Sequence, residues 1–259
     1  MEPAIDKSPR AKVLVADDDP VTRRLAALLL ERMGYAVDTV GDGTSAVTVV
    51  VRERYDVVLL DCEMPVVDGY AAAAEIRRLE AAGRRTPIVA VTASVQQADV
   101  ERALAAGMDA HVGKPIDRDA LARTLAGLLR HEEPVPDHRA DHGTAGAVID
   151  PDTVDELRRI DRDGSIHQLL AMFLRDTDTQ LARMDAALAA GDCAEISAAA
   201  HKLTGSAGFF GALRVAHLAH EIDVAARMQD PPSAAAVAEL RAAVDEATRA
   251  LAEELHPPS

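Results

Sequence analysis

The sequence predicts an α/β domain built on a parallel sheet, followed by an all-α domain. Three observations carry that prediction. Over roughly the first 130 residues, short apolar runs alternate with amphipathic segments of helical period, the pattern of successive βα units. Beyond residue 150 no strand pattern occurs, and apolar positions recur at helical spacing only. Between the two lies HEEPVPDHRADHGTAGAV (131–148), polar, with scattered Pro and Gly and neither period, which reads as a flexible linker. The chain therefore divides into a tail at 1–10, an α/β domain at 11–131, a linker at 132–148 and a helical domain at 149–256.

Composition narrows the function classes. The chain has 259 residues, 48% of them hydrophobic but only 2% aromatic, with no Trp, so its cores are built from Ala, Leu, Val and Ile. A net charge of −15 argues against nucleic acid, whose phosphates call for Lys and Arg. Most of the imbalance lies beyond residue 131, where 11 Lys and Arg face 23 Asp and Glu. Cys62 and Cys193 suggest no disulfide framework. MEPAIDKSPRAK lacks the apolar centre of a signal peptide, and no stretch approaches the ~20 apolar residues that cross a bilayer. A soluble cytoplasmic protein with no membrane partner is expected.

The elements come in order. KVLVA (12–16), YAVDTV (35–40), DVVLL (56–60), PIVAVT (87–92) and AHV (110–112) read as five strands. Helical patterns fill 20–33, 44–54, 69–81, 96–106 and 117–130, so helices cover both faces of the sheet. In the second half, helices are expected near 152–160, 165–190, 193–210, 213–228 and 233–255, packed as an antiparallel bundle.

Open α/β sheets bind ligands at the carboxyl ends of their strands. Asp17, Asp18 and Asp19 come directly after the first run, Asp61 after the third, Thr92 ends the fourth, and Lys114 lies just past the fifth. Asp17, Asp18 and Asp61 therefore form a carboxylate cluster that repels itself unless a hard cation joins it. Mg²⁺ suits oxygen ligands and keeps waters for an incoming phosphate. Asp19-Pro20 reads as an N-cap and a helix-starting proline. An isolated Asp after a strand is ordinarily a turn residue or cap; four such rim positions together point to chemistry.

VADDD (15–19), LLDCEMPVVDGY (59–70), VTAS (91–94) and GKPID (113–117) resemble the motifs of two-component receiver domains, in order and spacing, across nearly all of residues 11–131. The resemblance implies a flavodoxin-like sheet in which Asp61 accepts a phosphoryl group. It implies Asp17 and Asp18 as Mg²⁺ ligands, joined by the backbone carbonyl of Glu63. Thr92 would hydrogen-bond the phosphoryl group and Lys114 would pair with it, with a cis Lys114–Pro115 bond. A carboxylate can act as a covalent nucleophile toward phosphorus, and phosphoryl transfer asks mainly for positioning and charge neutralisation. Small Ala93 leaves the site open to a partner. His111 stands where receivers usually carry the Tyr or Phe that turns inward with the Thr, so the resemblance does not extend to that readout.

In ISAAAHKLTGSAGFFGALR (196–214), helical stepping of 100° per residue gathers Ile196, Ala199, Ala200, Leu203, Ala207 and Phe210 on one face, opposite His201. The neighbours of His201 on its own face, Ser197, Ala198, Gly205 and Gly208, are all small. Each Gly costs a helix about 1 kcal/mol relative to Ala, and clearance around an exposed imidazole is the expected benefit. A solitary His is ordinarily without special role; the cleared face argues otherwise. AAHKLTGSAGFFGALRVAHLAHEID (199–223) resembles the histidine-containing phosphotransfer (HPt) domain, as does most of 149–255. The resemblance implies that His201 is phosphorylated. That family often carries Lys three residues after the His; Thr204 stands there, leaving Lys202 as the nearby cation.

The remaining motifs read as structure. His217 and His220 have no evident third metal ligand, and DRDGS (161–165) is too short for a calcium loop. GDGTSA (41–46) satisfies a dinucleotide fingerprint in form but comes after the second strand, while the first ends in three Asp that would repel a pyrophosphate. A phosphatase with an Asp nucleophile is a rival, although Glu63 stands where such enzymes commonly place a second Asp. The expected function is a phosphorelay step in which Asp61 receives a phosphoryl group from a histidine kinase or phosphohistidine and exchanges it with His201, which serves a downstream response-regulator receiver domain. A branched relay or phosphate sink, with the two sites serving different partners, is the alternative. The sequence has no ATP-binding kinase pattern.

Overall fold

The computed structural model describes residues 11–80, 83–92, 97–114, 116–130, 148–161 and 164–255. The expected tail, nearly all of the expected linker, Ala93 and Pro115 lie outside the described residues. The chain folds into two compact units.

The first is a five-stranded sheet of β1 (Lys12–Ala16), β2 (Ala36–Val40), β3 (Val57–Asp61), β4 (Ile88–Thr92) and β5 (Ala110–Gly113) in the order β2-β1-β3-β4-β5. β1 pairs in parallel with β2 and β3, and β3 with β4. Order explains burial. Every residue of β3 and β4 is buried, as apolar runs covered on both faces must be. The edge strands β2 and β5 are partly exposed, and β2 carries the polar residues Asp38 and Thr39. The helices are α1 (Pro20–Arg32), α2 (Gly43–Arg52), α3 (Gly69–Leu79), α4 (Gln97–Ala105) and α5 (Arg118–Leu129).

Several boundaries differ from the sequence expectation by one or two residues, and three of them have a plain local reason. β2 starts at Ala36 because the Tyr35 amide donates to the Leu30 carbonyl, closing α1 through Gly34 at φ 94°. α3 stops at Leu79 because Glu80 turns extended and its carboxylate accepts from the Thr86 amide. β3 runs one residue further than expected and includes Asp61, since the ladder continues through the Cys62 amide to the Val91 carbonyl. Asp19 caps α1 by accepting from the Thr22 amide at 2.7 Å. Asp42 caps α2 through Ser45, and Gly43 stands where a Cβ would lie 2.4 Å from the Val67 carbonyl oxygen, so these two residues of GDGTSA serve capping and packing.

Gly69 fixes the β3–α3 connection. A Cβ there would sit 2.1 Å from the Asp61 carbonyl oxygen, a backbone atom that cannot rotate away. Gly69→Ala is expected to destabilise this unit by about 1–3 kcal/mol, as overpacking does, and to weaken Mg²⁺ binding because Asp61 must shift. Denaturant titration with and without Mg²⁺ measures both effects.

The second unit is helical: α6 (Pro151–Ile160), α7 (Ser165–Ala190), α8 (Cys193–Phe209), α9 (Leu213–Arg227) and α10 (Ala234–Glu254). Asp150, Asp192 and Ser233 cap α6, α8 and α10. Gly191, at φ 70°, ends α7. The stripe read from α8 is the core: Ile196, Ala199, Ala200, Leu203, Ala207 and Phe210 are fully buried, and Phe210 stacks on Phe173 of α7 with ring centroids 4.8 Å apart. α6 is tied to the bundle by the Asp150 amide donating to Gly211 O and by Arg158 donating to Glu254 O at the end of α10. Cys62 and Cys193 are buried, and neither is part of a disulfide. Among the described residues no helix is long and apolar enough to cross a membrane.

Candidate functional site

The parallel sheet brings the polar rim together. Register pairs Ala16 with Leu60 and Asp61 with Val91, so Asp17, Asp61 and Thr92 leave three neighbouring strands at one edge. The side chains of Asp17, Asp18 and Asp61 offer oxygens that all lie within 4.8 Å of one another. Asp17 and Asp61 are buried, so their mutual repulsion is only weakly screened by water. A dense set of hard oxygen donors fits a Mg²⁺-type cation. The Asp61 carboxylate accepts from the Glu63 amide at 3.3 Å, which orients Glu63 in the turn directly after β3. Thr92 ends β4 and is buried; Lys114 comes just past the end of β5; His111 lies half-buried within β5. Cys62, the residue after Asp61, is buried against Tyr70.

In the helical unit, His201 meets side chains from α9. Its Nδ1 lies 3.4 Å from Asp223 Oδ2. Asp223 is 3% exposed and accepts from Ser197 Oγ at 2.5 Å and from Arg227 Nε and Nη2, each at 2.8 Å. Burial alone would raise the Asp223 pKa, but hydrogen bonds from His201, Arg227 and Ser197 outweigh it and hold the carboxyl well below the usual range. It is therefore an anion at neutral pH. An anion beside Nδ1 holds the proton on that nitrogen and leaves the lone pair on Nε2.

Residues 13–126 match the model of the response regulator receiver domain, and residues 168–252 match that of the Hpt domain. The chain is a receiver domain followed by an Hpt domain. It is 32% identical to sensor histidine kinase GacS of Pseudomonas protegens over 94% of this chain and 27% of that protein. It is 35% identical to sensor histidine kinase AruS of Pseudomonas aeruginosa over 77% of this chain and 19% of that protein. The chain thus spans about a quarter or less of the curated relatives it matches. Among solved structures, the receiver domain of sensor histidine kinase PA1611 from Pseudomonas aeruginosa PAO1 is 42% identical, with 47% of this chain and 98% of that one covered and a TM-score of 0.44. That receiver was crystallised with a magnesium ion coordinated in its active site cleft. A receiver joined to an Hpt domain belongs to phosphorelay signal transduction.

The α8 pattern predicts an imidazole framed by small residues; within the helical unit the His201 side chain also lies against Asp223 and Arg227 of α9. Sequence reasoning worked within α8 and missed both. The signal was present in α9: Val215, Ala219, Ile222 and Ala226 form its buried stripe, and Asp223 falls on that stripe with Arg four residues on. A carboxylate on an apolar stripe needs partners, and His201 and Ser197 are among them. Thr204 donates back to the Ala200 carbonyl at 3.1 Å. Gly205 is buried, and Lys202 lies half-buried beside His201 in sequence. His217 forms an exposed pair with Glu221, and neither His217 nor His220 joins a metal-ligating group among the described residues. Of the DRDGS segment, Asp161 ends α6 and accepts from the Ile166 amide and His167 Nδ1, Ser165 begins α7, and Arg162 and Asp163 lie outside the described residues.

Proposed function

We propose that Asp61 and His201 are the two phosphoryl carriers of this chain, and that the group passes between them and to partner proteins. The observation that carries the reading is the pair of sites: three converging carboxylates at the carboxyl edge of the receiver sheet, and a histidine whose Nδ1 faces a buried carboxylate. In loading, an Asp61 carboxylate oxygen attacks phosphorus of a phosphohistidine donor; the O–P bond forms and the donor N–P bond breaks. In transfer, the Nε2 lone pair of His201 attacks phosphorus of the aspartyl phosphate. The N–P bond forms, the O–P bond breaks, and Asp61 leaves as carboxylate, while Asp223 holds the Nδ1 proton. The steps reverse without further reagents.

Asp17, Asp18 and Asp61, with the carbonyl of Glu63, would hold Mg²⁺, which when bound neutralises charge on the phosphoryl oxygens. Thr92 would donate to the phosphoryl group and Lys114 would pair with it. The partners are a histidine kinase or phosphohistidine protein on one side and a receiver domain on the other. The receiver extends over 11–131 and the Hpt domain over 149–256, the latter supported by the attachment of α6 to the bundle. Residues 132–148 join them.

Incubation of the chain with Mg²⁺ and acetyl phosphate tests this. Acyl phosphate is lost in base, whereas phosphohistidine survives base and is lost in acid. Base-labile label that vanishes on chelation, accompanied by base-stable label that vanishes in His201→Ala, is expected. Steady hydrolysis of small phosphate esters without retained label would replace the relay by a phosphatase.

A further inference from the structure

The carboxylate that orients His201 creates a problem for the chemistry proposed there. Asp223 is a buried anion one contact away from the ring that is to carry a dianionic phosphoryl group. At such separations, away from bulk water, like charges repel strongly. A lysine three residues beyond the histidine would offset this, but Thr204 occupies that position and its hydroxyl is turned back to its own helix.

We propose that Arg227 supplies the compensating charge at the Hpt site, reaching His201 from α9 in place of a lysine at position 204 of α8. This rests on the reading of His201 as a phosphoryl carrier. Arg227 grips Asp223 through Nε and Nη2, each at 2.8 Å, with both carboxylate oxygens engaged. This two-point fork fixes the guanidinium plane, which a single ammonium cannot do. Nη2 is thereby held 3.5 Å from His201 Nδ1. That approach is a juxtaposition of positive charge and ring, because Nδ1 bears the proton directed at Asp223. Ser197 gives Asp223 a further donor, so the carboxylate and the guanidinium it carries are anchored from both α8 and α9. Arg227 closes α9, where a cation is also favoured by the helix dipole. The Asp223–Arg227 pair is neutral as a unit: it orients the imidazole without adding net negative charge beside the phosphoryl group. Arg227 is a positioning residue toward Asp223 and a charge-balancing residue toward the phosphoryl group, and only the second role can be taken over from α8.

The test uses the full chain carrying Asp61→Asn, so that His201 is the acceptor under study, with phosphoramidate as donor and base-stable label as the readout. Arg227→Gln is expected to slow loading about tenfold, the scale of one lost charge-assisted interaction. Arg227→Lys should recover part of the rate. Thr204→Lys in the Arg227→Gln background should restore loading to within about threefold of the parent, because a lysine one turn along α8 returns the charge but cannot rebuild the fork on Asp223. Loading of Arg227→Gln at the parent rate overturns the proposal. So does slow loading that Thr204→Lys leaves uncorrected while Thr204→Lys alone loads normally, which would confine Arg227 to holding Asp223. If the parent takes up no label that His201→Ala removes, the failure lies with the assignment of His201 itself.

Discussion

Asp61→Asn is expected to leave the receiver folded, more stable without metal, and unable to carry phosphate. The substitution is isosteric, and the amide oxygen still accepts from the Glu63 amide, so the turn after β3 keeps its anchor. It removes one of three carboxylates whose oxygens lie within 4.8 Å of one another. In the metal-free protein that relieves repulsion, so the melting temperature rises. The Mg²⁺-induced gain in melting temperature shrinks, because stabilisation by a ligand depends on its affinity for the native state. Labelling by acetyl phosphate falls by about three orders of magnitude or more, as for other nucleophile removals. Calorimetric melting with and without Mg²⁺ separates these effects. A lower metal-free melting temperature would mean that the cluster is not repulsive and that Asp61 is a structural residue.

The second large effect lies in the Hpt domain. Asp223→Ala leaves Ser197, His201 and Arg227 without their common acceptor at a buried position. Breaking a buried pair by removing one partner costs about 3–5 kcal/mol, and about 3 is expected because Arg227 is half exposed. All three tyrosines (35, 55 and 70) lie in the receiver and all three phenylalanines (173, 209 and 210) in the Hpt domain. Near-ultraviolet circular dichroism therefore reports on the two domains separately. The Phe signal of Asp223→Ala should be lost at lower urea, with the Tyr transition unchanged.

The same carboxylate sets a pH dependence. Its folded pKa is depressed, so its contribution is fully present above the ordinary aspartate value of 3.8 and is lost as pH falls toward the folded pKa. The stability gap between wild type and Asp223→Asn should therefore be constant at neutral pH and narrow below that value. A gap that widens in acid would reverse the assigned sign.

The receiver was legible almost residue by residue, for a physical reason. In a parallel sheet buried on both faces, each strand is a short continuous apolar run, and the residues just past its carboxyl end fall at a common edge. VADDD, LLDC and IVAVT therefore specify strands and rim residues together, and Asp61 ends a buried strand because that edge is where carboxylates can converge on a cation. The Hpt core was equally legible, since Ile196, Ala199, Ala200, Leu203, Ala207 and Phe210 obey one helical period and are all buried.

The environment of His201 is different, because no single element's sequence determines it. The α8 sequence identifies the histidine and shows that its helix neighbours are small. Only the packing of α9 on α8 decides that the space is taken by Asp223 and Arg227, that Ser197 is a donor to Asp223 rather than a spacer, and that the imidazole is oriented by a buried anion. Periodicity records which face of a helix is apolar. The partner met by a polar side chain depends on helix crossing, which is set by the sum of many side-chain contacts.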